Sequence, residues 1–235
     1  MCLWQQEAAE KMVEFIHSCF QIDSYDFVGS MLDSNSLDVF SDVDICFCLS
    51  DNSALDATRL VNLLSERFCS VLGYETHISD DECILRICFE NGWRFDLVFI
   101  YPKSNECLHV ESSPDRSVND VINQFWFLSS LVLVKLGRKD FLIAAHLALE
   151  LCRLTIVLQM LVRDMMKNSN IHRFGDSEDV PILHALTQIE ESASRNEILC
   201  VLYKAAEQVD KLSLSHFNIP EQTDTLRNLQ RIFNI

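Results

Sequence analysis

Apolar positions in the first hundred residues follow two different periods. From Glu7 to Phe20 they recur at helical spacing, which predicts an amphipathic helix. Shorter apolar runs then follow, and several of them alternate with polar residues as strands do. The predicted strands are Tyr25–Val28, Asp42–Leu49, Cys83–Phe89 and Arg94–Tyr101.

Turn and cap residues separate these predicted elements. Glu90 to Trp93 has the composition of a hairpin turn, so the last two strands should be antiparallel neighbours. An apolar stripe between the second and third strands predicts a helix from Ser53 to Leu72. Ser53 is its predicted N-cap and Gly73 its predicted end. Strands and helices in this order predict a sheet on which helices pack.

The second half of the chain carries helical periodicity only. Residues 103 to 117 are polar and rich in turn formers, which predicts a crossing segment between two domains. The helices predicted beyond it are Val118–Leu136, Phe141–Lys167, Val180–Ser192 and Glu197–Leu212. We therefore predict an α+β fold with a mixed-sheet domain at residues 1–104 and an all-α helical bundle at residues 105–235.

Composition favours a reduced, intracellular setting. None of the ten cysteines forms a Cys-x-x-Cys pair, and many fall within predicted strands or helices, so they are predicted to be reduced core thiols. The chain has no charge-free apolar run of 18 residues, and its first residues lack the basic and apolar parts of a signal peptide. A cytoplasmic protein without a membrane segment is expected.

The chain is strongly acidic, with a formal net charge of −16 from 35 acidic and 19 basic residues. Nucleic-acid binding depends on lysine and arginine contacts to phosphate, so no nucleic-acid partner is expected. An acidic cleft would attract a cationic small molecule. A solvated acidic surface explains the same charge, and charge alone does not choose between the two.

The candidate chemistry begins with two aspartates, Asp42 and Asp44, at the start of a predicted strand. Alternate strand residues share a face, so their side chains would lie ~6.6 Å apart on the same side. At about that distance, with an effective dielectric of ~20, two carboxylates repel by roughly 3 kcal/mol. A cation between them would remove this repulsion, and Mg²⁺ suits carboxylate and phosphate oxygens best. The other explanation is that Asp-x-Asp pairs cap turns at strand ends.

Two further features could complete such a site. Asp96 lies in an apolar strand, where an ionised side chain is uncommon without a partner, so it is a candidate third ligand. Gly29 and Ser30 follow the first strand and precede a predicted helical turn at Met31 and Leu32. Glycine lets backbone amides approach a phosphate closely, and a hydroxyl at a helix start favours an anion.

The combination of these motifs is more specific than any one of them. Gly29-Ser30, eleven intervening residues, Asp42-x-Asp44 and a strand-borne Asp96 resemble the nucleotidyltransferase superfamily that includes DNA polymerase beta. The chain length and the helical second half look most similar to the small antibiotic nucleotidyltransferases that act on aminoglycosides or lincosamides.

The resemblance implies a reaction and a role for each motif residue. A nucleoside monophosphate, with AMP from ATP as first choice, would pass to a hydroxyl of a small acceptor, and pyrophosphate would leave. Asp42 and Asp44 would hold the Mg²⁺ that carries the triphosphate, and all three aspartates would hold a second one. Gly29 and Ser30 would bind the phosphates. Two alternatives stay open: a protein-modifying AMP transferase of antitoxin type, and a non-catalytic nucleotide-binding module.

The longest predicted helix carries three ionisable residues, His146, Glu150 and Arg153, on one face. They predict either a buried ion-pair network or a cleft. The resemblance implies that Glu150 could be the general base for the acceptor hydroxyl and Arg153 a contact for the triphosphate.

Two further clusters have ordinary structural explanations as well as functional ones. The segment Asn170–Gly175 is a predicted loop that could touch substrate, although its residue types also end helices. Lys135, Arg138 and Lys139 could neutralise phosphates, but basic residues are favoured at a helix C-terminus in any case.

Overall fold

The computed structural model describes residues 4–32, 37–50, 55–102, 117–166 and 194–235. Three predictions lie outside these residues: the Ser53 cap, the loop Asn170–Gly175 and the helix Val180–Ser192. The chain divides into two compact units, Met1–Pro114 and Asp115–Ile235. The predicted domain boundary after residue 104 also falls outside the described residues and stays a prediction.

The first unit is built on a five-stranded mixed sheet. Its strands are β1 (Ile22–Val28), β2 (Val43–Leu49), β3 (Val71–Ile78), β4 (Glu82–Phe89) and β5 (Arg94–Ile100). The spatial order is β1-β2-β5-β4-β3, with β2 and β5 parallel and the other neighbours antiparallel. Together with the helical second unit, this sheet confirms the predicted α+β fold.

Two helices cover one face of this sheet. Helix α1 (Trp4–Cys19) and helix α2 (Ala57–Arg67) bury their apolar stripes in one cluster with alternate strand residues. We call this side the core face; its fully buried strand residues include Val43, Ile45, Phe47, Phe95, Leu97 and Phe99. The intervening positions, among them Asp44, Cys46 and Asp96, are partly exposed and form what we call the site face.

The predicted end of the second helix was wrong, because a strand that was not predicted follows it. Helix α2 ends at Arg67 with Phe68 as its C-cap, and residues 71–78 form strand β3 instead of a helical extension. The apolar pair at Val71 and Leu72 fits a helical stripe and a strand equally well, and antiparallel pairing with β4 decides the outcome. Gly73 lies at an irregularity within β3, and the N-cap of α2 is Asp56, whose carboxylate accepts the Arg59 N–H at 3.0 Å.

The second unit is helical throughout its described residues. Its helices are α3 (Val118–Gly137), α4 (Phe141–Met166), α5 (Arg195–Phe217) and α6 (Thr223–Ile232). Capping boxes begin α3 and α5, with Ser117 and Ser194 as the N-cap residues. Contacts of α3 with α4 and of α4 with α5 make the bundle.

Helix α6 was not predicted, and a buried carboxylate explains how it begins. Asp210 of α5 accepts the backbone N–H groups of Gln222 at 2.8 Å and Thr223 at 2.9 Å. These amides lie at the helix start, where they have no partner within α6. A cap supplied from another helix leaves no local sequence signal.

One described helix, α4, is long and apolar enough to cross a membrane by length and composition. The buried core helix of a soluble protein passes the same test, so the feature is weak evidence. The predicted cytoplasmic location stays a prediction.

The eight cysteines within the described residues are free thiols. Cys83, Cys88 and Cys152 are buried, whereas Cys19 and Cys200 are exposed. The predicted core position is therefore right for some of these thiols and wrong for Cys19 and Cys200.

Candidate metal and nucleotide site

The parallel pairing of β2 and β5 brings the predicted aspartates together. Asp44 on β2 lies directly opposite Asp96 on β5, and Asp42 lies in the segment just before β2. One carboxylate oxygen from each of the three lies within 4.8 Å of the others, and all three side chains are partly exposed. Asp96, more than 50 positions further along the chain, thus joins Asp42 and Asp44 in one carboxylate triad.

The strand period explains why these carboxylates avoid the core. Val43 and Ile45 flank Asp44 and are fully buried, so Asp44 must point to the site face. Phe95 and Leu97 place Asp96 on the same side in the same way. The apolar neighbours therefore fix the direction of both acids.

Gly29 and Ser30 contact the triad directly. They begin a 3-10 turn, Gly29–Leu32, which confirms the helical turn predicted there. Gly29 has a φ of +60°, and a Cβ atom at this position would lie 3.0 Å from Cγ of Asp44 and closer still to its Oδ2. The Ser30 backbone N–H hydrogen-bonds to the Asp44 carboxylate. Only a residue without a side chain fits here. The predicted phosphate-binding role of both residues stays a prediction.

The three carboxylates of the triad have the same charge and repel one another. Burial, followed by the nearby charge of Asp42, raises the pKa of Asp44 to about 6. The same two causes, in the same order, raise the pKa of Asp96 to about 6, while Arg86 acts in the opposite direction on both. Like charges held this close favour either protonation or a bound cation.

The donor set fits magnesium. Three carboxylates within 4.8 Å offer hard oxygen ligands, and their partial exposure leaves room for water or phosphate oxygens in the remaining positions. Gly29 adds a second observation, because the space that a Cβ would take is filled by the Asp44 carboxylate. Asp42, Asp44 and Asp96 are therefore the residues that would hold the ion.

Two charged residues missed in the sequence continue the row across the sheet. Arg86 on β4 lies opposite Asp96, and its Nε is 3.3 Å from Oδ2 of that residue. Glu75 on β3 lies opposite Arg86, with 4.0 Å between Arg86 Nη1 and Glu75 Oε2. Counting back from the hairpin turn at Gly92 would have placed Arg86 beside Asp96, but Glu75 depended on a strand that was not predicted.

The turn that leads into the triad is held from two sides. Gln5 of α1 is fully buried, and its Nε2 donates to the carbonyls of Asp38 at 2.7 Å and Ser41 at 3.1 Å. Arg94, also buried, donates to the Phe40 carbonyl. These contacts fix the backbone one residue before the first aspartate of the triad. A polar residue on the apolar face of α1 was the sequence signal for Gln5.

The other predicted site residues lie in the second unit. Arg153 Nε donates to Glu150 at 2.8 Å and 2.9 Å, to Oε1 and Oε2, so the two form a bidentate pair along α4. The Arg153 side chain is 52% exposed, which makes this a surface pair, and His146 is exposed nearby. Their predicted roles as general base and triphosphate contact stay predictions.

The basic cluster at the end of α3 has a structural setting. Arg138 is the C-cap of α3, and Lys139 follows it with a φ of +61°. The carbonyl of Lys135 accepts the backbone N–H of Asp140 at 2.8 Å. These residues therefore end the helix, as the ordinary explanation predicts.

No protein-family model matches this sequence, and no curated protein is significantly similar to it. Among solved structures, the chain is similar to an aminoglycoside 6-adenyltransferase from Bacillus subtilis at 14% identity, with a TM-score of 0.34 and 98% of each chain covered.

Two further structures show weaker likeness. A STING-associated CdnE c-di-GMP synthase from Capnocytophaga granulosa has 14% identity and a TM-score of 0.27, with 98% of this chain and 78% of that chain covered. The CdnC:HORMA-deltaN complex of E. coli MS115-1 has 13% identity and a TM-score of 0.26, with 98% and 89% covered. Likeness at these TM-scores carries no argument about activity, so the site itself must carry the proposal.

Proposed function

We propose that this protein is a magnesium-dependent nucleotidyltransferase that moves a nucleoside monophosphate from a nucleoside triphosphate to a hydroxyl of a small acceptor. The observation that carries the proposal is the carboxylate triad of Asp42, Asp44 and Asp96 beside Gly29, on one face of a mixed sheet. This is the arrangement that the sequence motifs imply by their resemblance to nucleotidyltransferases. ATP is the nucleotide to test first.

Each group at the site has a part in the proposed reaction. Bound magnesium would neutralise the triphosphate and stabilise the attacking and leaving oxygens of an in-line displacement. The three aspartates would hold and orient the ion, and the turn at Gly29 and Ser30, which lies against Asp44, would bind phosphate oxygens. The acceptor oxygen bonds to the α-phosphorus as the bond from that phosphorus to the bridging oxygen breaks. Pyrophosphate leaves, and the hydroxyl proton passes to a carboxylate or to water.

The charge of the chain supports a cationic acceptor. With a formal net charge of −16, the protein attracts cations over a longer range than a single contact. We therefore propose aminoglycosides and lincosamides, which carry amino groups beside free hydroxyls, as the first acceptors to test. A long nucleic acid is the acceptor that this charge disfavours most.

The test is pyrophosphate release from ATP in the presence of Mg²⁺ and a panel of these acceptors. The site variants are Asp44→Asn and Asp96→Asn, which remove the charge with little change in shape. Asp80→Asn is the matched control, because Asp80 is an exposed carboxylate in the same unit, at the turn between β3 and β4. Release that needs an acceptor, Mg²⁺ and both triad aspartates, and that survives in the control, would support the proposal.

Two other outcomes separate the alternatives. Magnesium-dependent ATP binding without release to any small acceptor would move the search to protein acceptors, as in the antitoxin-type AMP transferases. Binding of ATP that is unaffected by Mg²⁺ and by both site variants would contradict the proposal and favour a non-catalytic binding module.

A further inference from the structure

The site face carries a row of four charged residues at one level of the sheet. Asp44, Asp96, Arg86 and Glu75 lie opposite one another on β2, β5, β4 and β3, as the strand registers show. Their charges run negative, negative, positive, negative. Directly opposed residues on neighbouring strands are close enough to interact, so this row is one electrostatic unit.

Arg86 lies between two acidic partners at different distances. Its Nε is 3.3 Å from Asp96 Oδ2, and its Nη1 is 4.0 Å from Glu75 Oε2. The Arg86 side chain is 50% exposed, so it has room to move between them. Five N–H donors let one guanidinium serve both carboxylates, with either one as its main partner.

A cation bound by the triad would change this balance. The guanidinium and a divalent ion both need the Asp96 carboxylate, and their positive charges repel each other at close range. Glu75 offers the guanidinium a second carboxylate on the side away from Asp44. Moving toward Glu75 would release Asp96 to the ion without leaving the arginine unpaired.

We propose that Arg86 is an exchangeable counter-ion of the site, pairing with Asp96 before a divalent cation binds and with Glu75 afterwards. This rests on the proposed function, because it assumes that the triad binds the cation. Arg86 then offsets the repulsion within the metal-free triad and lowers the affinity for the ion. Glu75 raises that affinity by accepting the displaced guanidinium, so it is a positioning residue that never touches the metal.

The proposal predicts opposite effects for two single substitutions. Arg86→Gln removes the competing charge, so we expect cation binding about tenfold tighter. Glu75→Gln removes the second partner and leaves the guanidinium on Asp96, so we expect binding about threefold weaker. In the double variant the effect of Glu75→Gln should disappear, because without Arg86 there is no charge to displace.

The experiment measures Mn²⁺ binding to the full chain by the electron paramagnetic resonance signal of the free ion. Wild type, both single variants and the double variant are titrated at one pH and one ionic strength. Lys11→Gln is the matched control, because Lys11 pairs with Glu7 on α1 and its loss changes the net charge as Arg86→Gln does. Arg86→Lys keeps the charge, so its affinity should stay closer to the wild type than that of Arg86→Gln.

Circular dichroism identifies any variant that does not fold, and Arg86→Lys keeps the test open if Arg86→Gln fails. Unchanged or weaker binding in Arg86→Gln, or equal effects of Glu75→Gln with and without Arg86, would overturn the exchange while leaving the metal site in place. If Asp44→Asn and Asp96→Asn bind Mn²⁺ as tightly as the wild type, the proposed function itself is overturned.

Discussion

The two faces of the sheet are formed by the same strands but differ in how their residues affect stability. On the core face, Phe47 and Phe99 are fully buried and stack at 5.4 Å between ring centroids. On the site face, Asp44 and Asp96 are carboxylates of like charge, and burial and the nearby charge of Asp42 make their ionised forms unfavourable. Within one strand, the core-face residues therefore stabilise the fold, and the ionised site-face residues beside them destabilise it. The charges on the site face do not stabilise the fold, and this is why we propose a binding role for them.

The largest expected effect comes from a substitution on the site face. Asp96→Asn should lower the rate of pyrophosphate release by about a thousandfold, since it removes a charge needed at the reacting phosphate. The same change should leave the metal-free melting temperature at pH 7.5 unchanged or higher, because an amide is easier to bury than an ionised carboxylate. Activity and thermal unfolding measured on one preparation check both halves. A large drop in stability would contradict the division between the two faces.

The second prediction concerns a substitution on the core face. Phe99→Ala removes a fully buried ring and its stack on Phe47, which should cost about 3–5 kcal/mol of unfolding free energy. Urea denaturation of the isolated chain measures this loss. Exchange of the exposed Ile100, the next residue of β5, for Ala is the control and should change stability far less. Equal losses at the two positions would show that the faces are not distinct.

The third prediction concerns the contact between the glycine turn and the triad. Gly29→Ala should weaken Mn²⁺ binding at least tenfold, since its Cβ would displace the Asp44 carboxylate. Gly92→Ala is the matched control, because Gly92 also has a positive φ, in the hairpin turn. Both changes should cost about 1–2 kcal/mol of stability through backbone strain. Only the first should alter cation affinity, and a similar loss in both would reject the local explanation.

The smallest expected effect is a pH dependence. The pKa of Asp44 and of Asp96 is about 6 in the fold, above the ordinary value of 3.8. Each group therefore contributes stability that is fully present below about pH 4 and is lost as the pH rises through 6. Added Mg²⁺ should raise the melting temperature by a few degrees at pH 7.5 and by less at pH 5. An equal shift in melting temperature at both pH values would show that the ion does not bind these two carboxylates.

The sequence predicted the parts of the site that depend on local pattern. The period of two in β2 and β5 was enough to place Asp44 and Asp96 on the face of the sheet away from the core. The spacing of Gly29 and Ser30 from these aspartates indicated the turn beside them. Arg86 could have been found from the hairpin register. Glu75 could not, because its strand begins with Val71 and Leu72, which continue the stripe of α2.

Other features depend on contacts between distant parts of the chain. Gln5 holds the turn at Asp38 and Ser41, more than 30 residues away, and Asp210 caps a helix that begins 13 residues later. A single sequence shows such residues only as polar side chains at apolar positions. It does not show which backbone groups they meet, so their roles required the structure.

The parallel pairing of β2 with β5 sets an order of assembly. The hairpin of β4 and β5 closes through the short turn at Gly92, whereas the pairing of β2 with β5 joins residues some fifty positions apart in the chain. Local closure is fast and non-local pairing is slow, so the carboxylates come together late in folding. During synthesis, a chain that ends before Arg94 contains Asp42 and Asp44 but has no sheet position for a third ligand. Such a nascent chain cannot yet form the site.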